Sequence, residues 1–287
     1  MRRVLEAISD GYVIYFKSDI ASFFTGIPHA EVVSFIREET GDSKISSIFM
    51  DALSTEINNK DALGEYFSLF PSDGIGVPQG SSLSALAGNI LLHGFDLKMN
   101  SENDIVCYRY IDDVIVLGKS NEAVQSARSL AIKHLRTKGL SLYDPAEHPD
   151  KAANGHTRDG FIYLGCRISP GQTEPSSESR QKLLNKIDQE INNAKKNIND
   201  VASRSTDNRY RQVCYSQSLS RIDRMVYSWG TSYSFCNNKL PFKSLDSKIS
   251  RRIENYQNWF RMYIGDKTEY QKRRALGICM LDDIFDK

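Results

Sequence analysis

The chain has 287 residues, of which 40% are hydrophobic and 25% are charged, and its formal net charge is +1. This length allows one large domain or two ordinary ones. The sequence contains no repeat, no low-complexity run, no signal peptide and no stretch of about 18 apolar residues, so we expect no membrane association. Five scattered cysteines lack the spacing of a metal site, which predicts reduced thiols and a cytoplasmic protein.

The first predicted element is a buried strand over residues 12–16, which are apolar and rich in β-branched and aromatic side chains. Asp19 follows it, at the carboxyl end, where the side chains of a sheet meet a ligand cleft. Residues 20–24 are predicted to continue the strand, and residues 26–28 to end it. Pro28 is typical of the first turn of a helix, which we expect over residues 29–40.

A glycine-flanked turn comes next, over residues 76–84, and its glycines allow the backbone to approach a ligand closely. Its serines suit the start of a helix, predicted from Ser82 to Met99. Such a turn is also typical of an ordinary junction between a loop and a helix, so it is weak evidence by itself.

Two adjacent acids, Asp112 and Asp113, lie between short β-prone runs in residues 108–118, which predicts a tight hairpin with carboxylates at its tip. A lone pair of aspartates is most often a solvated turn. With Asp19 as a third acid, however, the set suits phosphoryl transfer by two Mg²⁺ ions about 3.5–4 Å apart. Mg²⁺ prefers oxygen ligands, so no histidine or cysteine is needed.

Residues 122–138 predict an amphipathic helix that ends at Gly139. Residues 170–177, rich in proline and glycine, are interpreted as a linker. The part after it, residues 178–287, is basic and predicted to be helical, whereas the part before it is acidic. A helix over residues 244–263 interleaves aromatic and basic residues, and we expect Tyr256, Trp259 and Phe260 to be core rather than nucleic-acid contacts.

In chain order, residues 19–24, Pro78-Gln79-Gly80 and Tyr110-Ile111-Asp112-Asp113 resemble the palm motifs of the reverse transcriptase family. Residues 161–166 are similar to its primer-grip hairpin. The resemblance covers residues 12–169 and is greatest to compact bacterial members of the retron, abortive-infection or phage-defence kinds. It implies an α+β fold: a right-hand polymerase palm over residues 1–169, the linker 170–177 and a helical, basic thumb over residues 178–287.

The resemblance also implies roles for single residues. Asp19, Asp112 and Asp113 would hold two Mg²⁺ ions, with Mn²⁺ as the alternative ion, and the backbone oxygen of Ile20 would assist. Phe24 would be the steric gate that excludes a ribose 2′-hydroxyl, where RNA polymerases with a similar palm commonly carry an acid.

Further residues are expected to bind the substrates. Lys151 or His148 would protonate the leaving pyrophosphate, although a solvated loop charge is the favoured alternative for Lys151. The other residues implied in binding are Pro78, Gln79 and Gly80 for the incoming nucleotide, Tyr110 near the primer end, and Tyr163, Leu164 and Gly165 for the primer grip.

The expected activity is addition of deoxynucleotides to a DNA primer on an RNA template, in a bacterial anti-phage setting that involves a noncoding RNA or a partner protein. Because 18 residues precede Asp19, we expect this sequence to lack most of the family's fingers region. Truncation or a mis-assigned start is the favoured explanation, with fingers supplied by a partner chain or a minimal polymerase as alternatives. Other functions left open are a non-catalytic nucleic-acid-binding subunit, a template-independent polymerase and an RNA-synthesising polymerase.

Overall fold

The computed structural model describes residues 1–54, 64, 74–78, 80–203, 214–278 and 281. The chain divides into two compact units, Met1–Asp159 and Gly160–Lys287. The division therefore falls ten residues before the predicted end of the palm. It also falls before the predicted primer-grip hairpin, which belongs to the second unit.

The first unit is built on a four-stranded antiparallel sheet in the order β2-β3-β1-β4. Strand β3 is central, and its residues 114–117 are consecutive and fully buried. Because neighbouring side chains on a strand point to opposite faces, both faces of β3 are covered. The strands are β1 (Ile14–Asp19), β2 (Ile105–Tyr110), β3 (Asp113–Gly118) and β4 (Ala152–His156).

Helices surround this sheet, and several begin at a side-chain cap. Ser81 accepts a hydrogen bond from the backbone N–H of Leu83, and Ser120 accepts one from Ala123, which satisfies donors that a helix start leaves unpaired. The helices are α1 (Arg2–Ser9), α2 (His29–Thr40), α3 (Ser43–Leu53), α4 (Ser82–Leu91), α5 (His93–Asn100) and α6 (Asn121–Arg136).

Two predictions for this unit differ from the structure. The single helix predicted from Ser82 to Met99 is two helices, α4 and α5, because the chain leaves helical geometry at the buried residue Leu92. The strand predicted to run on through residues 20–24 ends at Asp19. Ser22 then adopts a left-handed backbone with φ of 50°, and a short 3₁₀ turn, Phe24–Gly26, follows.

The second unit begins with a three-stranded antiparallel sheet of β5 (Phe161–Tyr163), β6 (Cys166–Ser169) and β7 (Gln172–Pro175). Strand β7 lies inside the predicted linker, so residues 170–177 are a hairpin and a helix start rather than an irregular connection. The turn at 170–171 closes that hairpin, with Gly171 at φ of 68°. The helices that the structure describes after this sheet are α7 (Ser177–Ser203), α8 (Tyr215–Ser232), α9 (Leu240–Ile264) and α10 (Glu269–Leu276).

The helices of the second unit enclose their own hydrophobic core. It contains Tyr256 and Phe260 of α9 and the apolar side chains of α7, among them Leu183, Leu184, Ile187 and Ile191. Trp259 stacks on Tyr256 and Tyr263, with ring centroids 5.9 and 5.2 Å apart. These rings pack as the core interpretation predicts. Within the described ranges, no helix is long and apolar enough to cross a bilayer.

Candidate active site

Strand register brings the predicted acids to one end of the first sheet. Asp19, the last residue of β1, lies opposite Asp113, the first residue of β3. Asp113 also pairs with Tyr110 across the β2–β3 hairpin, whose two-residue turn contains Asp112. The backbone N–H of Ile20 donates to the carbonyl oxygen of Asp112 at 2.9 Å, which fixes the turn against β1. The predicted hairpin with carboxylates at its tip is therefore present.

The turn itself is strained, and a buried arginine supports it. Ile111 has a φ of 60°, a left-handed conformation that is unusual for a β-branched residue. The guanidinium of Arg109 donates to the Ile111 carbonyl oxygen at 2.8 Å and forms two hydrogen bonds with the Asp96 carboxylate of α5. Sequence reasoning missed Arg109, whose one signal was a charge inside an apolar strand.

The carboxyl groups crowd one another. Burial raises the pKa of Asp113 to about 7, aided by a hydrogen bond that the protonated Asp113 donates to the Asp19 carboxylate and by the charges of Asp19 and Asp112. Burial also raises the pKa of Asp112, and the Asp19 charge adds to it. Two carboxyls this close favour a shared proton or a bound cation.

Lys151 brings a positive charge to this cluster. Its Nζ donates to Oδ2 of Asp19 at 3.2 Å, and its carbonyl oxygen accepts from the Asp19 backbone N–H at 3.2 Å. The hydrogen bond to Asp19 raises the pKa of Lys151. The structure thus places the 47% exposed side chain of Lys151 beside Asp19, and both interpretations of Lys151, proton donor and solvated loop charge, stay predictions. His148 instead packs edge-on against Tyr143, with centroids 4.9 Å apart.

The donor set fits a hard divalent ion in chemical type. Mg²⁺ is usually held by one or two carboxylates plus substrate phosphates and water, and Asp19 and Asp113 supply two adjacent carboxyls. Among the residues that the structure describes, however, no three acidic, histidine or cysteine side chains are gathered closely enough to coordinate one ion. Water molecules, and in a complex the substrate phosphates, would therefore have to supply the remaining ligands of such a site. The assisting role of the Ile20 oxygen stays a prediction.

The two phenylalanines after Asp19 have different environments. Phe23 is buried, and its ring lies so close to Gly88 that a Cβ there would be 2.6 Å away. Phe24 is half-buried, lies edge-on to Phe23, and accepts a hydrogen bond from the Val77 N–H at its carbonyl oxygen. One ring is core, as expected, but the cause is the turn at 22–26 rather than strand alternation. The gate role of Phe24 stays a prediction.

The glycine-flanked turn is held beside Phe24. Gly76 has a φ of 87°, and its carbonyl oxygen lies 2.6 Å from Nε2 of the buried His29. Pro78 is exposed, and its carbonyl oxygen accepts from the Ser84 hydroxyl at 2.6 Å. Gly80 is exposed with a φ of 94°, whereas Gln79 lies outside the described residues. Tyr110 is 60% exposed beside the acids.

Residues 3–168 match the protein family described as reverse transcriptase (RNA-dependent DNA polymerase). The chain belongs to the reverse transcriptase family. Its palm sheet and helices are thus those of an α+β polymerase fold.

Comparisons with individual proteins are more distant. This reverse transcriptase family member is 24% identical over 184 residues to Protein YkfC of Escherichia coli (strain K12), a match over 53% of this chain and 46% of that protein. A telomerase structure from Candida tropicalis with a fragment of telomeric RNA matches 99% of the chain at 13% identity and a TM-score of 0.47. The Candida albicans counterpart matches 94% at 13% identity and a TM-score of 0.40. The chain spans 48% of each telomerase chain, so it covers about half the length of these relatives.

The predicted primer grip of this reverse transcriptase is a turn between β5 and β6. Leu164 and Gly165 both have a positive φ, of 48° and 70°, and Tyr163 is buried. A Cβ at Gly165 would lie 2.5 Å from the hydroxyl of Tyr233, which bonds to the Ser179 hydroxyl at 2.7 Å. The turn therefore packs against Tyr233, which directly follows α8. Its contact with a primer stays a prediction.

A basic groove runs between α7 and α8 in the second unit of this reverse transcriptase, and sequence reasoning missed it. Its volume is about 590 Å³, with Met225 and Trp229 among its apolar lining. Its basic residues are Lys182 and Lys186 of α7, four positions apart, and Arg221 and Arg224 of α8, three positions apart. Such spacings place the two residues of each pair on one face of their helix.

Proposed function

We propose that this chain adds deoxynucleotides to a DNA primer 3′-end on an RNA template. The observation that carries this proposal is the register of Asp19 against Asp113, with Asp112 in the adjoining turn. Family membership supports nucleotidyl transfer as the reaction class.

In this mechanism the three acids would hold the divalent ions, Mg²⁺ or Mn²⁺, which would activate the 3′-hydroxyl and neutralise charge at the phosphates. Asp113 would act as a ligand in its deprotonated form, which a bound cation would favour over the protonated form that its raised pKa of about 7 allows. The strained turn at Ile111, supported by Arg109, fixes Asp112 and Asp113 relative to β1. Lys151, whose ammonium donates to Asp19, is the proposed proton donor to the leaving pyrophosphate.

Sugar selection is assigned to Phe24. Its ring is half-buried, and its backbone is joined to the loop because the Val77 N–H donates to its carbonyl oxygen. A fixed ring beside a nucleotide-binding loop excludes a 2′-hydroxyl by volume rather than by charge. The loop's exposed Pro78 and Gly80 would then face the nucleotide.

Nucleic-acid binding is assigned in part to the basic groove of the second unit. Four cationic side chains along one groove suit a phosphate backbone, and Trp229 adds an aromatic surface. Because such binding releases counter-ions, it weakens as salt concentration rises. The role in anti-phage defence, with a noncoding RNA or a partner protein, rests on the resemblance to compact bacterial reverse transcriptases and is tested by phage challenge.

A second candidate is a non-catalytic nucleic-acid-binding subunit. It is favoured by the pairing of Asp19 with Lys151, together with the absence of a preassembled three-donor site among the described residues. In that case the groove would bind a hybrid while the acids remain unused.

One experiment separates these candidates. The chain is offered an RNA template, a DNA primer and Mg²⁺ with either deoxynucleotides or ribonucleotides, beside the Asp112→Asn variant. Asp104→Asn is the matched control, because Asp104 is an exposed aspartate that precedes β2, at the end of the β2–β3 hairpin opposite the acids. Extension with deoxynucleotides that only Asp112→Asn abolishes supports the polymerase. Hybrid binding without extension supports the subunit, and a preference for ribonucleotides supports RNA synthesis.

A further inference from the structure

Lys151 is fixed to Asp19 by the sheet rather than by a loop. It directly precedes β4, in which Ala152 pairs with Ser18 of β1. Its carbonyl oxygen accepts from the Asp19 N–H, and its ammonium donates to Asp19 Oδ2, so main chain and side chain join the same two residues. Its own amide donates to the His148 carbonyl oxygen at 3.0 Å, which closes the preceding turn.

The charges around this contact are mostly negative. Asp19 and Asp150 interact with the ammonium, and its charge in turn acts on Asp112. Lys17 is a second cation near the cluster, and it acts on Asp113. The charge of Lys151 therefore acts on Asp19 and Asp112, whereas the charge of Lys17 acts on Asp113.

The ammonium and a divalent ion compete for the same carboxylate. Lys151 Nζ lies 3.2 Å from Asp19 Oδ2, so a cation bound to the Asp19 carboxylate would repel the ammonium and weaken that bond. The side chain of Lys151 is 47% exposed, so it can swing into solvent without a buried charge being left behind. Displacement is thus feasible at modest cost.

We propose that Lys151 is a built-in counter-ion of Asp19, which holds the acid cluster together before a divalent ion binds and competes with that ion for Asp19. This inference rests on the proposed function, since it takes the acids to be metal ligands. It makes Lys151 a positioning residue that sets the metal affinity of the site, a property separate from any proton transfer to pyrophosphate.

The test measures Mn²⁺ affinity in the absence of nucleotide and nucleic acid, by calorimetry and by the paramagnetic resonance signal of free Mn²⁺. Lys151→Met should bind Mn²⁺ about threefold more tightly than the wild type at low salt, as expected for loss of an exposed ion pair. Lys151→Arg should restore the wild-type affinity, because it keeps the competing charge. The ratio should shrink at high salt, where exposed pairs are screened.

Lys138→Met is the matched control, because Lys138 forms a similarly exposed pair with Glu31 away from the acids. It should leave Mn²⁺ affinity unchanged. Thermal unfolding adds a second readout: Mn²⁺ should raise the midpoint of Lys151→Met more than that of the wild type. Equal or weaker Mn²⁺ binding by Lys151→Met, or no binding by either protein, overturns the inference.

Primer extension run in parallel distinguishes the two proposals. Extension that Asp112→Asn abolishes, with equal Mn²⁺ affinities for wild type and Lys151→Met, rejects the counter-ion role alone. Tighter Mn²⁺ binding by Lys151→Met without extension by any protein rejects the polymerase activity alone.

Discussion

Asp19 and Asp113 stand opposite each other at the ends of two antiparallel strands, and their carboxyl groups are joined by a hydrogen bond. Neither position needs a loop to bring it there, since the register of β1 and β3 fixes both. A pair of acids held by a sheet keeps its geometry while charges around it change. That rigidity is the basis of the metal-dependent function proposed for this chain.

The protonation of Asp113 should make stability depend on pH. The folded protein keeps this proton up to about pH 7, whereas the unfolded chain releases it near its ordinary pKa of 3.8. The folded state therefore binds more protons in that window, and its stability contribution from Asp113 falls as pH rises. In urea unfolding without divalent metal, the wild type should lose stability relative to Asp113→Asn between about pH 4 and pH 7. Parallel pH profiles for the two proteins would contradict this.

Arg109 should be a large contributor to the stability of the hairpin. Its side chain is 6% exposed and bonds both to Asp96 and to the strained turn at Ile111. Arg109→Met should lower the free energy of unfolding by about 2 kcal/mol, because Asp96 loses its partner and the turn its support.

The control for Arg109 is Lys98→Met, which removes an exposed pair with Glu102 on one helix. It should cost less than about 0.5 kcal/mol in the same chemical-denaturation measurement. Similar losses in both variants would show that Arg109 is an ordinary surface charge.

Gly165 should tolerate no side chain. A Cβ there would meet the Tyr233 hydroxyl at 2.5 Å, at a φ of 70°. Gly165→Ala should cost about 3 kcal/mol, from backbone strain and overpacking together. Adding Tyr233→Phe should recover part of that loss, so the two changes should couple by about 1 kcal/mol in a double-mutant cycle.

Gly171 provides the comparison, since it has a φ of 68° and no described atom within 4 Å of a Cβ placed there. Gly171→Ala should lower the free energy of unfolding by about 1 kcal/mol, the cost of backbone strain alone. Equal losses of unfolding free energy in Gly165→Ala and Gly171→Ala would show that the contact with Tyr233 adds nothing to the cost at Gly165.

Phe24 should control sugar selection, if the polymerase activity is present. Phe24→Val should raise ribonucleotide use relative to deoxynucleotide use by at least about tenfold in kcat/KM. Phe23→Val should instead lower stability by about 2–3 kcal/mol without that change in selectivity, because Phe23 is a buried core ring. An unchanged nucleotide preference in Phe24→Val would reject the gate.

The basic groove should contribute to hybrid binding through phosphates. Replacement of Arg224 by Ala should weaken RNA–DNA hybrid binding for all sequences and reduce the salt slope of log K by about 1. Arg252→Ala is the control, because that guanidinium is paired with Asp188 between α7 and α9. Affinities measured by fluorescence anisotropy at several salt concentrations give both quantities. An unchanged salt slope in Arg224→Ala would show that Arg224 in the groove makes no phosphate contact.

Much of the fold could be predicted where local signals agree. The bounds of α2 follow from Pro28 and Gly41, which begin and end the helix, and the hairpin at Asp112 follows from the β-prone runs that flank it. Asp19 was found because an acid directly after a buried strand is unusual.

Other features depend on contacts that are distant in sequence. The ion pair of Lys151 with Asp19 joins residues 132 positions apart, and Arg109 reaches Asp96 through the packing of α5 on β2. The break at Leu92 has a weak local signal, since an apolar helix face continues across it. The strand β7 has a weak local signal because turn residues surround it. In these places tertiary packing decides the structure.

The most direct test of the central claim is deoxynucleotide extension of a DNA primer on an RNA template, with Mg²⁺, by the wild type and by Asp113→Asn. The wild type should extend the primer, and Asp113→Asn should lose at least about a hundredfold in rate while it still folds and binds the hybrid. Equal extension by Asp113→Asn would contradict the assignment of the Asp19–Asp113 pair as the catalytic metal site.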